Sequence, residues 1–320
     1  MSDPTPAAAI ADRIRRAQRL GVFGHIGPDG DALGTALALA IAARDQGKQA
    51  WASFGAPFSV PESFRFLPLE TLVSPAEVPA DLDLVVAVDV GSSERLGSLA
   101  GVARKADALV VLDHHRSNEG FGDVAWIDPD AAASAQMAVD LLDELAWPLT
   151  PGIAACLYTG LVTDTGRFQY SSTSPAVHRL AARLIEAGAV PDEVGRHVYE
   201  EAPFGYLTLA GTVLSRARLD ADLGLVWSVV YLADLDAAGI GYENADGLIN
   251  EIRVAAGSEV ACLLKETGGG TKASLRSRGV VDVGALARAL GGGGHHNSAG
   301  FTRTEPPERV IELVREALRG

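Results

Sequence analysis

Three short stretches crowd titratable side chains together. They are His25-Ile26-Gly27-Pro28-Asp29-Gly30-Asp31, Asp113-His114-His115 and the loop GGGGHHNSAG at Gly291 to Gly300. His25, Asp29 and Asp31 offer one neutral nitrogen and two carboxylates within a single turn. That mixed donor set suits Mn2+, Fe2+, Co2+ or Zn2+. An Asp beside a Pro-Gly turn is ordinarily a helix N-cap or a turn former, so the spacing gains meaning only in combination. Asp113-His114-His115 directly follow Val110-Val111-Leu112, where three successive titratable groups have little structural purpose. Asp89 closes another apolar run, Leu84 to Val88, and Asp164 stands in Thr163-Asp164-Thr165-Gly166.

If Asp29, Asp31, Asp89 and Asp164 converge, each close pair repels by roughly 4 kcal/mol at an effective dielectric of ~20 and ~4 Å. Two divalent cations balance the four negative charges. Held about 3.5–4 Å apart, such a pair can generate a nucleophile from water and clamp the oxygens of a phosphoryl group. The expected chemistry is therefore metal-assisted hydrolysis of a phosphate ester.

The elements that must position these groups read as alternating strands and helices. Helical spacing covers residues 1 to 20, followed by a strand over Val22 to Ile26 and a helix over Ala32 to Gln46. Gln49 to Phe54, Leu84 to Val88, Ala108 to Leu112 and Val124 to Ile127 read as strands, and Ser134 to Leu145 and Ile153 to Val162 as helices. The alternation predicts an α/β fold built on a doubly wound, mainly parallel sheet, with a second, smaller α/β domain. We divide the chain into a catalytic domain over 1–190, a helical linker over 191–216 and a second domain over 217–320. In such sheets ligands bind at the carboxyl ends of the strands, the edge where His25, Asp89 and Asp113-His114-His115 all fall.

The chain has 320 residues, 48% hydrophobic and 21% charged, enough for two cored domains. No stretch is long and apolar enough to span a bilayer, and Cys156 and Cys262 read as buried, reduced thiols, which fits a cytoplasmic location. A net charge of -14 argues against a long nucleic-acid partner, because such partners are held by basic surfaces. A short phosphorylated substrate remains compatible when positive charge is concentrated at one place.

The order and spacing of His25-x-x-x-Asp29-x-Asp31, Asp89, Asp113-His114-His115 and Asp164 resemble the four motifs of the DHH phosphoesterases. The Gly291 to Gly300 loop resembles the GGGH motif of the DHH-associated C-terminal domain. That family includes RecJ-type exonucleases, family II inorganic pyrophosphatases and NrnA-type oligoribonucleases; overall length, domain order and Ser274-Leu275-Arg276-Ser277 look most like the last. The resemblance implies a first metal held by His25, Asp29 and Asp89 and a second by Asp31, Asp89, His114 and Asp164. The ions would be two Mn2+, with Mg2+ or Co2+ as substitutes. It implies that His115 faces the substrate phosphate and that Asp113 orients a histidine. It also implies that Arg276 and His295 contact phosphate or sugar, with Arg278, Gly293, Gly294 and Asn297 as further candidates. The expected substrates are very short RNA and 3′-phosphoadenosine 5′-phosphate. Cyclic or linear di-adenylate, inorganic pyrophosphate and a non-catalytic nucleotide sensor are the alternatives, and pairing as a homodimer is left open.

Overall fold

The computed structural model describes residues 5–319, apart from the side chain of His295. Its contacts divide the chain into two compact units, with the boundary between Glu201 and Ala202.

Long apolar runs without alternation demand burial on both faces, and the first unit supplies it. Its strands are β1 (Arg19–Gly24), β2 (Gln49–Phe54), β3 (Leu84–Val88), β4 (Leu109–Asp113) and β5 (Val124–Ile127). They form a sheet of order β2-β1-β3-β4-β5 with every neighbouring pair parallel. Helices α1 (Pro6–Arg16), α2 (Gly30–Asp45), α3 (Ala100–Ala103), α4 (Ser134–Leu145), α5 (Pro151–Asp164), α6 (Pro175–Glu186) and α7 (Pro191–Gly195) surround it. One face packs Val22, Val86, Val88 and Leu112 against residues of α1, α2, α4 and α5. The other packs Phe23, Val85, Ala87 and Val111 against Leu96, Leu99 and Ala103. Helix α2 is buried from Gly30 through Ala43, which is why its sequence has almost no polar face.

The strand order changes direction between β1 and β3. In open α/β sheets ligands bind at that switch point, outside the carboxyl ends of the strands. His25 follows β1, Asp89 follows β3 and Asp113 ends β4, so the topology itself delivers three of the candidate groups to one edge.

The second unit carries a six-stranded mixed sheet, β10-β11-β9-β8-β7-β6. Its strands are β6 (Arg218–Asp220), β7 (Leu225–Val230), β8 (Val260–Thr267), β9 (Gly270–Ser277), β10 (Gly293–His295) and β11 (Ser298–Arg303), and only β7 and β8 pair in parallel. Alternation along β8 sends Cys262 and Leu264 to a core with α11 (Val283–Ala289) and α12 (Pro307–Arg319). Ala261 and Leu263 enter a core with α8 (Gly205–Ser215) and α10 (Leu248–Ile252), on a path that also includes α9 (Leu232–Ala238).

Two local expectations change. The first helix stops at Arg16, and Leu20, expected inside it, pairs in the sheet with Ala50 and Leu84. Its apolar side chain serves a strand as well as it would serve a helix. The glycine-rich stretch Gly291 to Gly300 is largely a hairpin, with Gly293 opposite Gly300 and Gly294 opposite Ala299. Its backbone hydrogen bonds supply the order that its composition hides. The stretch 191–216 carries α7, a π-helical turn over Arg196–Glu200 and α8; Val194 packs in the core of the first unit, and Leu209 and Val213 in a core of the second.

Candidate metal centre

Asp29 takes the capping role its sequence allowed and also faces His25. It is the N-cap of α2, its Oδ1 accepting from the backbone N–H groups of Asp31 at 3.1 Å and Ala32 at 3.0 Å. Its other oxygen stands 3.7 Å from Nε2 of His25. Asp31, in the first turn of α2, is fully buried. Its carboxylate accepts from the N–H of Ser134 at 2.6 Å, the N–H of Ala135 at 2.8 Å and the Thr35 hydroxyl at 3.2 Å. The N-terminus of α4 thus points its free N–H groups and positive dipole end at Asp31.

Asp89 occupies the centre. Its backbone is left-handed, with φ 56°, a conformation that Asp adopts more readily than most residues. Oδ1 lies 3.4 Å from His114 Nε2 and 3.6 Å from His115 Nδ1, and Oδ2 lies 3.6 Å from His25 Nε2. The Ser134 hydroxyl donates to Oδ1 at 3.1 Å. Asp164, the last residue of α5, reaches His114 Nε2 at 3.1 Å, and Asp31 reaches it at 3.8 Å.

The tautomers follow from the partners. A carbonyl can only accept, so His25 Nδ1 donates to Ile26 O at 2.9 Å and His114 Nδ1 to Ala131 O at 3.2 Å. Both imidazoles therefore turn Nε2 toward the carboxylates. His115 Nδ1 donates to Asp113 Oδ1 at 2.7 Å, while Asn118 Nδ2 donates to Asp113 Oδ2 at 2.6 Å.

An acceptor nitrogen facing carboxylate oxygens at 3.1–3.8 Å is repulsive unless a proton or a cation lies between them. Without a cation the protons hold it together. Burial opposes the charged imidazole of His25, but Asp29 and Asp89 outweigh it and raise its pKa to about 9. Burial likewise opposes charge on His114, and Asp164 and Asp89 carry it well above the ordinary imidazole range. His115 is raised by Asp113 and Asp89 against its burial. Burial, then the charges of Asp89 and Asp164, push Asp31 well above the usual carboxylate range. Asp89 is held far below it because His114, His115 and His25 outweigh its burial.

Three groups of side chains have ligand atoms close enough for one ion: His25, Asp29 and Asp89; Asp31, His114 and Asp164; and Asp89, His114 and His115. The donor chemistry, imidazole nitrogens mixed with carboxylates, fits divalent transition metals. The six side chains named from sequence as ligands thus meet in one place, with Asp113 behind His115. Sequence reasoning passed over Ser134, Thr35 and Asn118. Each is an ordinary residue with a common structural use, and only the fold reveals the carboxylate at its end.

The candidates in the second unit lie outside these groups. Gly293 and Gly294 are in β10, and Asn297 is in the turn, its carbonyl accepting from Ser277 N–H at 3.0 Å. Arg276, on β9, is paired in register with Ser298 and donates to Leu275 O at 3.0 Å. Arg278 donates to the carbonyls of Arg253 and Ala255 at 2.9 and 3.1 Å, tying down the segment after α10. The side chain of His295 lies outside the described residues, although its backbone pairs with Ser298.

Comparison with known proteins agrees with the motif order. Residues 19–161 match the DHH family, N-terminal domain, and residues 228–319 match the DHHA1 domain. The chain is 36% identical to the bifunctional oligoribonuclease and PAP phosphatase NrnA of Thermus thermophilus, over 92% of this chain and 88% of that one. It is 26% identical to the protein of the same name in Bacillus subtilis, over 68% and 69% of the two chains. The fold matches the crystal structure of an exopolyphosphatase-related protein from Bacteroides fragilis with a TM-score of 0.90 at 23% identity, covering 98% and 95% of the chains. Sequence, site geometry and these matches lead to one assignment: the chain belongs to the DHH family of metal-dependent phosphoesterases, with a DHHA1 domain following the DHH domain.

Proposed function

We propose that the protein is a two-metal phosphodiesterase that hydrolyses very short RNA to nucleoside 5′-monophosphates and converts 3′-phosphoadenosine 5′-phosphate to AMP. The observation that carries this reading is the convergence of His25, Asp29, Asp31, Asp89, His114 and Asp164 in one place, with Asp89 between His25 and His114. The substrate class is supported by the similarity to the bifunctional oligoribonuclease and PAP phosphatase.

His25, Asp29 and Asp89 would hold one ion, and Asp31, Asp89, His114 and Asp164 the other; the donors suit several divalent transition metals, and the family resemblance favours Mn2+, with Mg2+ or Co2+ as substitutes. When bound, divalent ions supply Lewis acidity and lower the pKa of water. The chain's own groups do the rest. Ile26 O and Ala131 O fix His25 and His114 so that Nε2 of each points inward. Ser134, Ala135 and Thr35 hold Asp31 in place. His115, oriented by Asp113, is left with Nε2 to deliver a proton. Both proposed reactions break a bond between phosphorus and ribose O3′, so one proton donor serves both.

The test is a rate comparison with Mn2+ on a diribonucleotide, 3′-phosphoadenosine 5′-phosphate, cyclic di-adenylate and pyrophosphate. Fast turnover of the first two supports the proposal. Preference for cyclic di-adenylate or pyrophosphate, or no turnover by metal-loaded protein, would replace it.

A further inference from the structure

Directly after Asp164 the backbone makes an unusual turn. Gly166, Arg167 and Phe168 have φ of 55°, 61° and 62°. Left-handed geometry is rare in single non-glycine residues and rarer in succession. The turn is built, not loose. Arg167 N–H donates to Val162 O at 2.8 Å, the N–H groups of Gln169 and Tyr170 both donate to Thr165 O at 3.0 Å, and Phe168 N–H donates to the Thr165 hydroxyl at 3.1 Å. Phe168 packs its ring near Tyr158 and His178, with centroids 6.3 and 5.2 Å away. A Cβ at Gly166 would run into the Tyr170 ring.

The turn places the Arg167 guanidinium over the ring of Tyr199, 4.4 Å from its centroid. Tyr199 belongs to a single π-helical turn, Arg196–Glu200, an irregularity frequent at functional sites. Its hydroxyl donates to Val162 O at 3.4 Å, which ties the ring to the end of α5. Burial raises the Tyr199 pKa, and its hydroxyl is close enough to feel the charges of both Arg167 and Asp164. Arginine and carboxylate thus share one neighbourhood. Yet Arg167 is exposed, and it makes no side-chain hydrogen bond or ion pair among the described residues. Several other arginines of this acidic chain are matched to acids or to backbone carbonyls, as Arg183 is to Asp143, Arg315 to Asp220 and Arg278 to the carbonyls of Arg253 and Ala255. The Asp164 carboxylate is directed instead to His114.

We propose that Arg167, seated on Tyr199, is a phosphate-binding residue of the DHH domain that takes an anionic oxygen of the bound nucleotide. A guanidinium flat on an aromatic ring keeps its planar fork of N–H donors at the edge, free to meet two phosphate oxygens at once. The stacked ring also removes much of the freedom that a solvent-exposed arginine would lose on binding. A structural cation on a ring needs neither the left-handed turn nor the vicinity of the metal centre. The inference deepens the phosphoesterase reading and rests on it for the identity of the nucleotide.

The experiment compares Arg167→Asn, Arg167→Lys, Tyr199→Phe and Tyr199→Ala in full-length metal-loaded protein. Asn tolerates a left-handed backbone, so the turn is kept while the charge is lost. We expect Arg167→Asn to raise KM for a diribonucleotide about tenfold, as loss of one charged phosphate contact does, with kcat changed less. Calorimetric affinity for 5′-AMP should fall by a similar factor, and the salt dependence of binding should become shallower. Arg167→Lys restores part of the affinity, Tyr199→Phe keeps it and Tyr199→Ala moves toward Arg167→Asn. Unchanged 5′-AMP affinity and salt dependence in Arg167→Asn would overturn the proposal, as would a parallel loss of bound metal or folding in both Arg167 variants. If wild-type protein binds 5′-AMP through Arg167 but leaves short RNA intact, the functional reading fails and this one stands.

Discussion

Oδ1 of Asp89 lies 3.4 Å from Nε2 of His114, with both residues buried. The other oxygen of the same carboxylate faces His25 at 3.6 Å, so one side chain joins the two halves of the candidate centre. Asn is nearly isosteric with Asp and tolerates the left-handed backbone at this position. Asp89→Asn should therefore keep the fold, shown by an unchanged circular dichroism spectrum. Turnover should fall by more than about 100-fold, the upper end for outer partners of a metal ligand, and bound metal should drop with it. Full activity with metal present would end the two-metal account.

Asn118 should act through Asp113. Its amide donates to Asp113 Oδ2 at 2.6 Å and to Val90 O at 3.1 Å, while Asp113 Oδ1 accepts from His115. Asn118→Leu strips a donor from a buried carboxylate, a loss of about 1–3 kcal/mol in stability. Asp113 would then hold the proton of His115 more tightly. The limb of the pH–rate profile that reports His115 should move to higher pH, and kcat should fall about 10–100-fold. Metal content should stay at the wild-type level, which separates this effect from loss of a ligand.

The sequence made the parallel sheet and the six convergent ligand candidates readable for physical reasons. Buried strands such as Leu84 to Val88 are uninterrupted apolar runs, and a carboxylate or imidazole at the end of one has few other uses. What stayed hidden depends on contacts between distant segments. Ser134 meets Asp31 only because α4 starts beside α2, and nothing in Ser134-Ala135 announces it. The hairpin at Gly293–His295 was hidden because glycines carry no pattern of alternation. Arg167 and Tyr199 were hidden because their pairing needs a left-handed turn and a π-turn, both invisible to hydrophobic periodicity.

Metal and protons compete for the same atoms, which gives a pH dependence with a definite sign. His25 holds its proton to about pH 9 in the metal-free chain, against an ordinary value of 6.5. A raised pKa in the folded state adds stability that is complete below 6.5 and is lost as pH rises through about 9. The melting temperature of chelator-treated protein should fall over that interval. Apparent metal affinity should rise over it, because ligands must lose their protons to bind. Scanning calorimetry with chelator and with Mn2+ should thus show two curves that diverge as pH increases. A melting temperature of stripped protein that climbed with pH would contradict the charge pattern at His25.

Gly160 links packing to chemistry more directly than any ligand does. It faces α2 from α5, and a Cβ there would lie 2.8 Å from Asp31 Oδ1 and 3.0 Å from Ala135 Cβ. Alanine ordinarily stabilises a helix interior relative to glycine by about 0.5–1 kcal/mol. At Gly160 the added methyl has no space, and overpacking of this kind costs about 1–3 kcal/mol. Relief requires moving Asp31 off the N–H groups of Ser134 and Ala135, so bound metal and kcat should decline together with stability. Gly211, inside α8, supplies the contrast, because a Cβ there meets nothing within 4 Å. Gly211→Ala should gain stability by chemical denaturation with kcat unchanged, whereas Gly160→Ala should lose both. Equal gains in the two variants would show that α2 and α5 can separate at Asp31 without disturbing the site.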